Sequence, residues 1–195
     1  MTAWPAMGDH VLLVGMMGSG KSTIGRIVAD RMRRVFRDSD ADVERRTGKQ
    51  VPEIFASRGE AAFRAEERAA LSAALASGVP SVIAVAGGAV LDPEARRRLR
   101  SAGVVVWLDA SPHDLASRVG AGAGRPLLEH DPAGTLFRLD AVRRPVYRDL
   151  ADVVIDVRRR RPEALAEEVV RASRSLLEDP CPAPDAARAA GLSPW

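Results

Sequence analysis

What this chain of 195 residues lacks narrows its class first. It has one cysteine, Cys181, so an internal disulfide framework is excluded and a reducing cytoplasm fits. No apolar run approaches the roughly 20 residues that cross a bilayer, so no membrane partner is read. Met1 to Asp9 carries neither a basic region nor an apolar core, so no secretion signal is read there either. Aromatics are 4% of the residues, and Lys21 and Lys49 are the only lysines. The positive charge is therefore nearly all arginine, yet 26 acidic residues almost balance 29 basic ones, leaving +3. That balance and the scarcity of aromatics argue against a nucleic-acid partner. Arginine instead suits bidentate recognition of phosphate and carboxylate. A chain that is 46% hydrophobic and 28% charged reads as one cored globular domain.

The stretch around which the chain is organised is Gly15-Met16-Met17-Gly18-Ser19-Gly20-Lys21-Ser22-Thr23, which matches G-x-x-x-x-G-K-[ST]. Glycine at 15, 18 and 20 permits positive φ and close approach of backbone to a ligand, so that N–H groups converge on an anion. Gly18, Ser19, Gly20 and Thr23 are the candidate phosphate cradle. Lys21 can place a point charge between the β- and γ-phosphates, and the Ser22 hydroxyl can ligate Mg²⁺. Val11 to Val14 reads as a buried parallel strand, and Ile24, Ile27, Val28 and Met32 have helical spacing. Strand, loop and helix fall in the order that nucleotide binding requires.

Further along, a short strand at Val35-Phe36-Arg37 ends in Asp38-Ser39-Asp40. Two carboxylates at the carboxyl edge of a parallel sheet suit a ligand site. Capping of a helix beginning near Ala41 is the rival reading. Residues 41–78 read as helical, broken near Gly48 and Gly59, with Val51, Ile54 and Phe55 as a core stripe. Arg64 and Glu67, taken alone, are an ordinary surface ion pair at i, i+3. The strand Ser81–Val85 runs into Ala86-Gly87-Gly88, where bare backbone faces either a ligand or a tight turn. Strands follow at 104–108 and 151–157, with helices at 93–100, from 112, at 136–150 and at 163–177. Gly120 to Pro126 has the glycine content of a closing lid with Arg125 at its tip, or of a plain flexible loop. The Arg158–Arg161 run reads as a solvated linker, and residues 179–195 as a disordered tail.

Read together, these pieces resemble the shikimate kinases, within the nucleoside-monophosphate-kinase-like P-loop group. The shared elements are the glycine loop, Asp38-Ser39-Asp40, Glu44-Arg45-Arg46-Thr47-Gly48, Ile54-Phe55, Gly59-Glu60, Phe63-Arg64 with Glu67, Gly87-Gly88, Arg125-Pro126-Leu127-Leu128, and Arg143 ahead of Pro145 and Tyr147. The resemblance implies an α/β fold, a three-layer αβα sandwich around a five-stranded, mostly parallel sheet. It divides residues 1–178 into a core (10–34 and 79–178), an acceptor-binding region of about 35–78 and a lid of about 119–131.

It also implies Mg²⁺- and ATP-dependent phosphorylation of the 3-hydroxyl of shikimate, in the route to aromatic amino acids, by a cytoplasmic monomer. By the same resemblance, Lys21 bridges the phosphates, while Ser22 and Asp38 hold the metal, Asp38 through water. Asp40 receives the acceptor hydroxyl as the candidate base. Arg64 and Arg143 grip the acceptor carboxylate, Gly87 and Gly88 contact its ring hydroxyls, and Phe63 lines its pocket. Glu67 orients an arginine or a hydroxyl there. Arg118 lies over the adenine, and Arg125 comes down on the phosphates. One position departs from the pattern, since Ala86 stands where the family usually has a third glycine. A gluconate-type kinase and a non-catalytic nucleotide-binding regulator are the competing readings.

Overall fold

The computed structural model describes residues 9–119 and 131–178, so Arg125, most of the expected lid and the expected tail lie outside the described residues. Five strands form one sheet: β1 (His10–Val14), β2 (Val35–Asp38), β3 (Ser81–Ala84), β4 (Gly103–Asp109) and β5 (Val153–Asp156). Their order is β2-β3-β1-β4-β5, and every pairing is parallel. The expected "mostly parallel" sheet is thus wholly parallel among the described residues. The helices are α1 (Lys21–Met32), α2 (Ser39–Thr47), α3 (Val51–Leu75), α4 (Pro93–Ala102), α5 (Pro112–Val119), α6 (Pro132–Leu150) and α7 (Pro162–Glu178).

The strands are apolar because helices cover both faces. Val11, Leu12 and Leu13 are fully buried, as are Val104, Val105 and Val106. Burying each such side chain stabilises the fold by ~1.5–3 kcal/mol relative to leaving it in water. Helices α1 and α7 pack together, and α4, α6 and α7 all contact β4. A separate small cluster of Val43, Ile54, Phe63 and Ala70, with Val51 and Phe55 against it, holds α2 to α3. The α2–α3 unit therefore carries its own core.

Helix boundaries follow local chemistry. Asp38 caps α2, its Oδ1 accepting from the Asp40 N–H at 3.1 Å, so the helix begins at Ser39, two residues before the sequence-based estimate. Gly48 ends α2 at φ 67°, and the Gln50–Glu53 capping box starts α3. Gly59, at φ 77° and ψ 173°, kinks α3 in the middle. Strand β5 is shorter than residues 151–157, and Asp152 just before it pairs with Val105 of β4 twice, its carboxylate accepting from the Val105 N–H at 2.7 Å and its own N–H donating to the Val105 carbonyl at 2.9 Å.

The sheet order sets the site. From β1 the chain leaves through α1 toward β2, and from β3 it crosses β1 to reach β4. The crevice opens where those two directions diverge, beyond the carboxyl ends of β1 and β3.

Candidate active site

The loop after β1 adopts the backbone its glycines allow. Gly15, Gly18 and Gly20 have φ of 141°, 82° and 93°. At Gly15 a Cβ would also stand 2.7 Å from the Leu108 carbonyl oxygen, so space and conformation both demand glycine. Gly20 is the N-cap of α1, and no side chain caps it. The helix therefore presents open N–H groups and the positive end of its dipole to the crevice. The Lys21 ammonium donates to the Gly15 and Met16 carbonyls at 2.9 and 3.0 Å, which holds its charge over the loop.

Opposite this cradle lies Asp38. Its Oδ2 accepts from the Ser22 hydroxyl at 2.6 Å while its Oδ1 caps α2. Capping and site placement, which look like alternatives in the sequence, are thus performed by one carboxylate with two oxygens. The middle residue of the triplet works elsewhere. The Ser39 hydroxyl, on a residue only 5% exposed, accepts from the Ala86 N–H at 3.2 Å. That bond fixes the end of β3 to the start of α2.

A cleft of about 820 Å³ is lined by the glycine loop and by residues of α2 and α3. On the cradle side it is lined by Gly18, Gly20, Lys21, Ser22 and Thr23, with Arg118 at one flank. Asp38 and Asp40 also line it. Phe63, Arg64, Gly87, Gly88 and Arg143 line the far side. Ser19 differs, being 1% exposed, with a hydroxyl that has no partner among the described residues and an N–H that donates to the Met16 carbonyl at 3.2 Å. Arg118 is tied back by donation to the Val157 carbonyl at 3.1 Å.

The far side is rich in charge. Arg64 reaches Glu67 at 2.6 Å and Glu60 at 3.1 Å. Glu67 is 4% exposed, so this is no surface pair. Burial pushes the Glu67 carboxyl above its usual pKa of 4.5, although Arg64 draws it back in part, and the nearby Asp40 charge adds to the rise. Arg143 is 3% exposed, and its Nε has no partner among the described residues. Its neighbour Arg144 is fully employed, by Asp140 at 2.8 Å, Asp109 at 2.9 Å and the Trp107 ring at 5.3 Å. One arginine of the pair holds the fold; the other faces the cleft.

Gly87 and Gly88 have no positive φ, so their conformation does not require glycine. Crowding does. A Cβ on Gly88 would lie 2.7 Å from Arg64 Nη1, and one on Gly87 would lie 3.1 Å from Arg143 Nη1 and 3.2 Å from the Gly15 carbonyl oxygen. Ala86 likewise has no positive φ, which explains how an alanine is accommodated there. Two residues gain importance that the sequence does not assign. Phe55 packs against Phe63 with ring centroids 4.7 Å apart and lines the cleft. Tyr147, fully buried, donates from its hydroxyl to the Gly87 carbonyl at 2.9 Å. The i, i+4 spacing of Tyr147 from Arg143 is the available signal.

Comparison with known proteins then separates the readings. The family model described as shikimate kinase matches residues 17–174. The shikimate kinase of Burkholderia lata is 48% identical over 151 residues, covering 77% of this chain and 82% of its own length. That of Pseudomonas syringae pv. tomato is 44% identical over 162 residues, covering 83% of this chain and 94% of its own. Among solved structures, the shikimate kinase from Acinetobacter baumannii in complex with shikimate superposes with a TM-score of 0.82 at 33% identity, covering 87% of this chain and 95% of its own.

Proposed function

The chain belongs to the shikimate kinase family, and from that premise we propose that it transfers the γ-phosphoryl group of ATP to the 3-hydroxyl of shikimate. The observation that carries this reading is the convergence of Lys21, Asp40, Arg64 and Arg143 on one cleft. Phosphoryl transfer asks for positioning and charge neutralisation more than for covalent chemistry. A small acceptor bearing one carboxylate and several hydroxyls matches two arginines, a carboxylate and bare glycine backbone.

In this mechanism the N–H groups of the loop from Gly18 to Thr23 hold the triphosphate, and Lys21 neutralises its β- and γ-oxygens. Arg118 contacts the base, and Arg125 closes on the phosphates. Arg64 and Arg143 fix the acceptor by its carboxylate, with Phe63 against the ring and the Gly87 and Gly88 backbone against its hydroxyls. Asp40 accepts the proton of the attacking hydroxyl and aims that oxygen in line with the γ-phosphorus. Glu67 keeps the Arg64 fork in place.

The donor set fits Mg²⁺. Ser22 Oγ and Asp38 Oδ2 are hard oxygens 2.6 Å apart beside the cradle, and a few protein oxygens supplemented by waters and phosphates is how this ion is usually held. When bound, the ion would supply neutralisation of the phosphate charge. Among the described residues no cluster of three or more His, Cys, Asp or Glu could form a metal cage, and no helix is long and apolar enough to cross a membrane. The reading is completed by a cytoplasmic monomer acting on ATP and shikimate, without nucleic-acid or membrane partners. Its acceptor region is about residues 35–78, and its lid is about residues 119–131, of which 120–130 lie outside the described residues.

A coupled assay of ADP release with Mg-ATP, comparing shikimate with gluconate, tests the proposal. Turnover with shikimate alone is expected. Turnover with gluconate alone would transfer the site to the gluconate-type kinases, and turnover with neither would favour a non-catalytic regulator.

A further inference from the structure

One buried polar contact beneath the cleft is made by a side chain given no role above, that of Tyr147. Tyr147 is 0% exposed, and its ring packs against Trp107 with centroids 5.8 Å apart. Its hydroxyl donates to the Gly87 carbonyl at 2.9 Å. Burial, only partly offset by the adjacent Arg143 guanidinium, pushes the phenol up to about 12, so it remains a neutral donor at every working pH.

A trans peptide points its C=O and the following N–H in opposite directions, and no cis peptide occurs among the described residues. Anchoring the Gly87 carbonyl downward on Tyr147 therefore turns the Gly88 N–H upward, toward the cleft that Gly88 lines. No acceptor among the described residues takes that N–H. The same hydroxyl lies beside Arg143, one turn earlier on α6. A Cβ at Gly87 would touch Arg143 Nη1 at 3.1 Å and the Tyr147 hydroxyl at 3.2 Å, so the three groups form one contact.

We propose that Tyr147 is a positioning residue for the acceptor, fixing the Gly87–Gly88 peptide so that the Gly88 N–H and the Arg143 fork meet one small anionic, hydroxylated ligand. This rests on the acceptor reading above. Tyr147 touches neither reacting atom; it acts through the glycine peptide and the arginine. In Tyr147→Phe the Gly87 carbonyl loses its buried donor, and the peptide is free to rotate.

The test measures acceptor and nucleotide binding separately. In Tyr147→Phe the shikimate Kd and KM are expected to rise about tenfold, with the ATP Kd within about twofold of wild type. Trp107→Phe, which alters the packing on the ring but spares the hydroxyl, is expected to lower Tm while leaving the shikimate Kd unchanged. A shikimate Kd unchanged in Tyr147→Phe, or raised equally in Trp107→Phe, would overturn the positioning role while leaving the function reading intact. Wild-type protein that neither binds nor phosphorylates shikimate would overturn both. In labelled wild-type protein, shikimate is expected to shift and protect the Gly88 amide resonance. An unperturbed Gly88 amide refutes the proposal even if Tyr147→Phe cannot be purified.

Discussion

The Ser22 hydroxyl and the Asp38 carboxylate meet at 2.6 Å beside the phosphate cradle, and the other Asp38 oxygen caps the next helix. Asn caps a helix about as well as Asp, whereas it is a poorer ligand for a hard divalent cation. Asp38→Asn is therefore expected to keep its Tm within about 2 °C, consistent with a cap change of a few tenths of a kcal/mol. The Mg²⁺ concentration for half-maximal activity should rise about tenfold, by the cost of removing one charged ligand. Magnesium titrations of the two proteins at fixed ATP check this, and coincident curves would remove Asp38 from the metal site.

Arg143 is the buried cation whose Nε has no partner among the described residues. Arg143→Ala is expected to weaken shikimate binding about a hundredfold, the lower end of what truncating one partner of a buried charge pair costs. ATP affinity should be unaltered. Calorimetric titration with each substrate decides it, and an unchanged acceptor Kd would dismiss Arg143 from the carboxylate grip.

The two glycines after β3 are expected to respond differently to alanine. At Gly88 the added methyl meets the far end of Arg64, a flexible side chain, at 2.7 Å. At Gly87 it meets the Gly15 carbonyl at 3.2 Å and the anchored Tyr147 hydroxyl at 3.2 Å, neither of which can swing away. Gly88→Ala should raise the acceptor KM several-fold with little change in Tm. Gly87→Ala should lower Tm as well, by the roughly 1–3 kcal/mol typical of overpacking. Thermal melts and acceptor KM values of both variants provide the comparison.

Far from the cleft, His10 is 5% exposed, and its Nδ1 accepts from the Ser81 N–H at 3.2 Å. Burial lowers its pKa below 6.5, helped by Arg34 and Arg37 and opposed by a bond to the Leu75 backbone and by Asp9. The folded state thus binds this proton less readily than the unfolded chain. The stabilisation is present above about pH 6.5 and is lost as pH falls toward the folded pKa. His10→Asn, which retains an acceptor for Ser81, should show a shallower fall in Tm from pH 7 to pH 5. Parallel curves for variant and wild type would contradict this.

The fold was legible in the sequence because its signals are local. The glycine loop between Val11–Val14 and Ile24, the breaks at Gly48 and Gly59, and the apolar strands each follow from a few adjacent residues. The residues that line the cleft were legible through the family resemblance, since Asp40, Arg64 and Arg143 lie on different helices and no spacing rule joins them. What stayed hidden depends on tertiary approach. The burial of Glu67, the Ser39 bond to Ala86 and the Tyr147 bond to Gly87 link residues that only folding makes neighbours. The choice of Arg143 over Arg144 became a physical one when Asp109, Asp140 and Trp107 were found to occupy the second arginine.

Asp40 lines the cleft that Lys21, Arg64 and Arg143 also line, and single-turnover kinetics of Asp40→Asn put the whole account at stake. With saturating Mg-ATP and shikimate, phosphoryl transfer should slow by about 10²–10⁴-fold, the usual worth of a positioned base, while both dissociation constants hold. Transfer at the wild-type rate would contradict it.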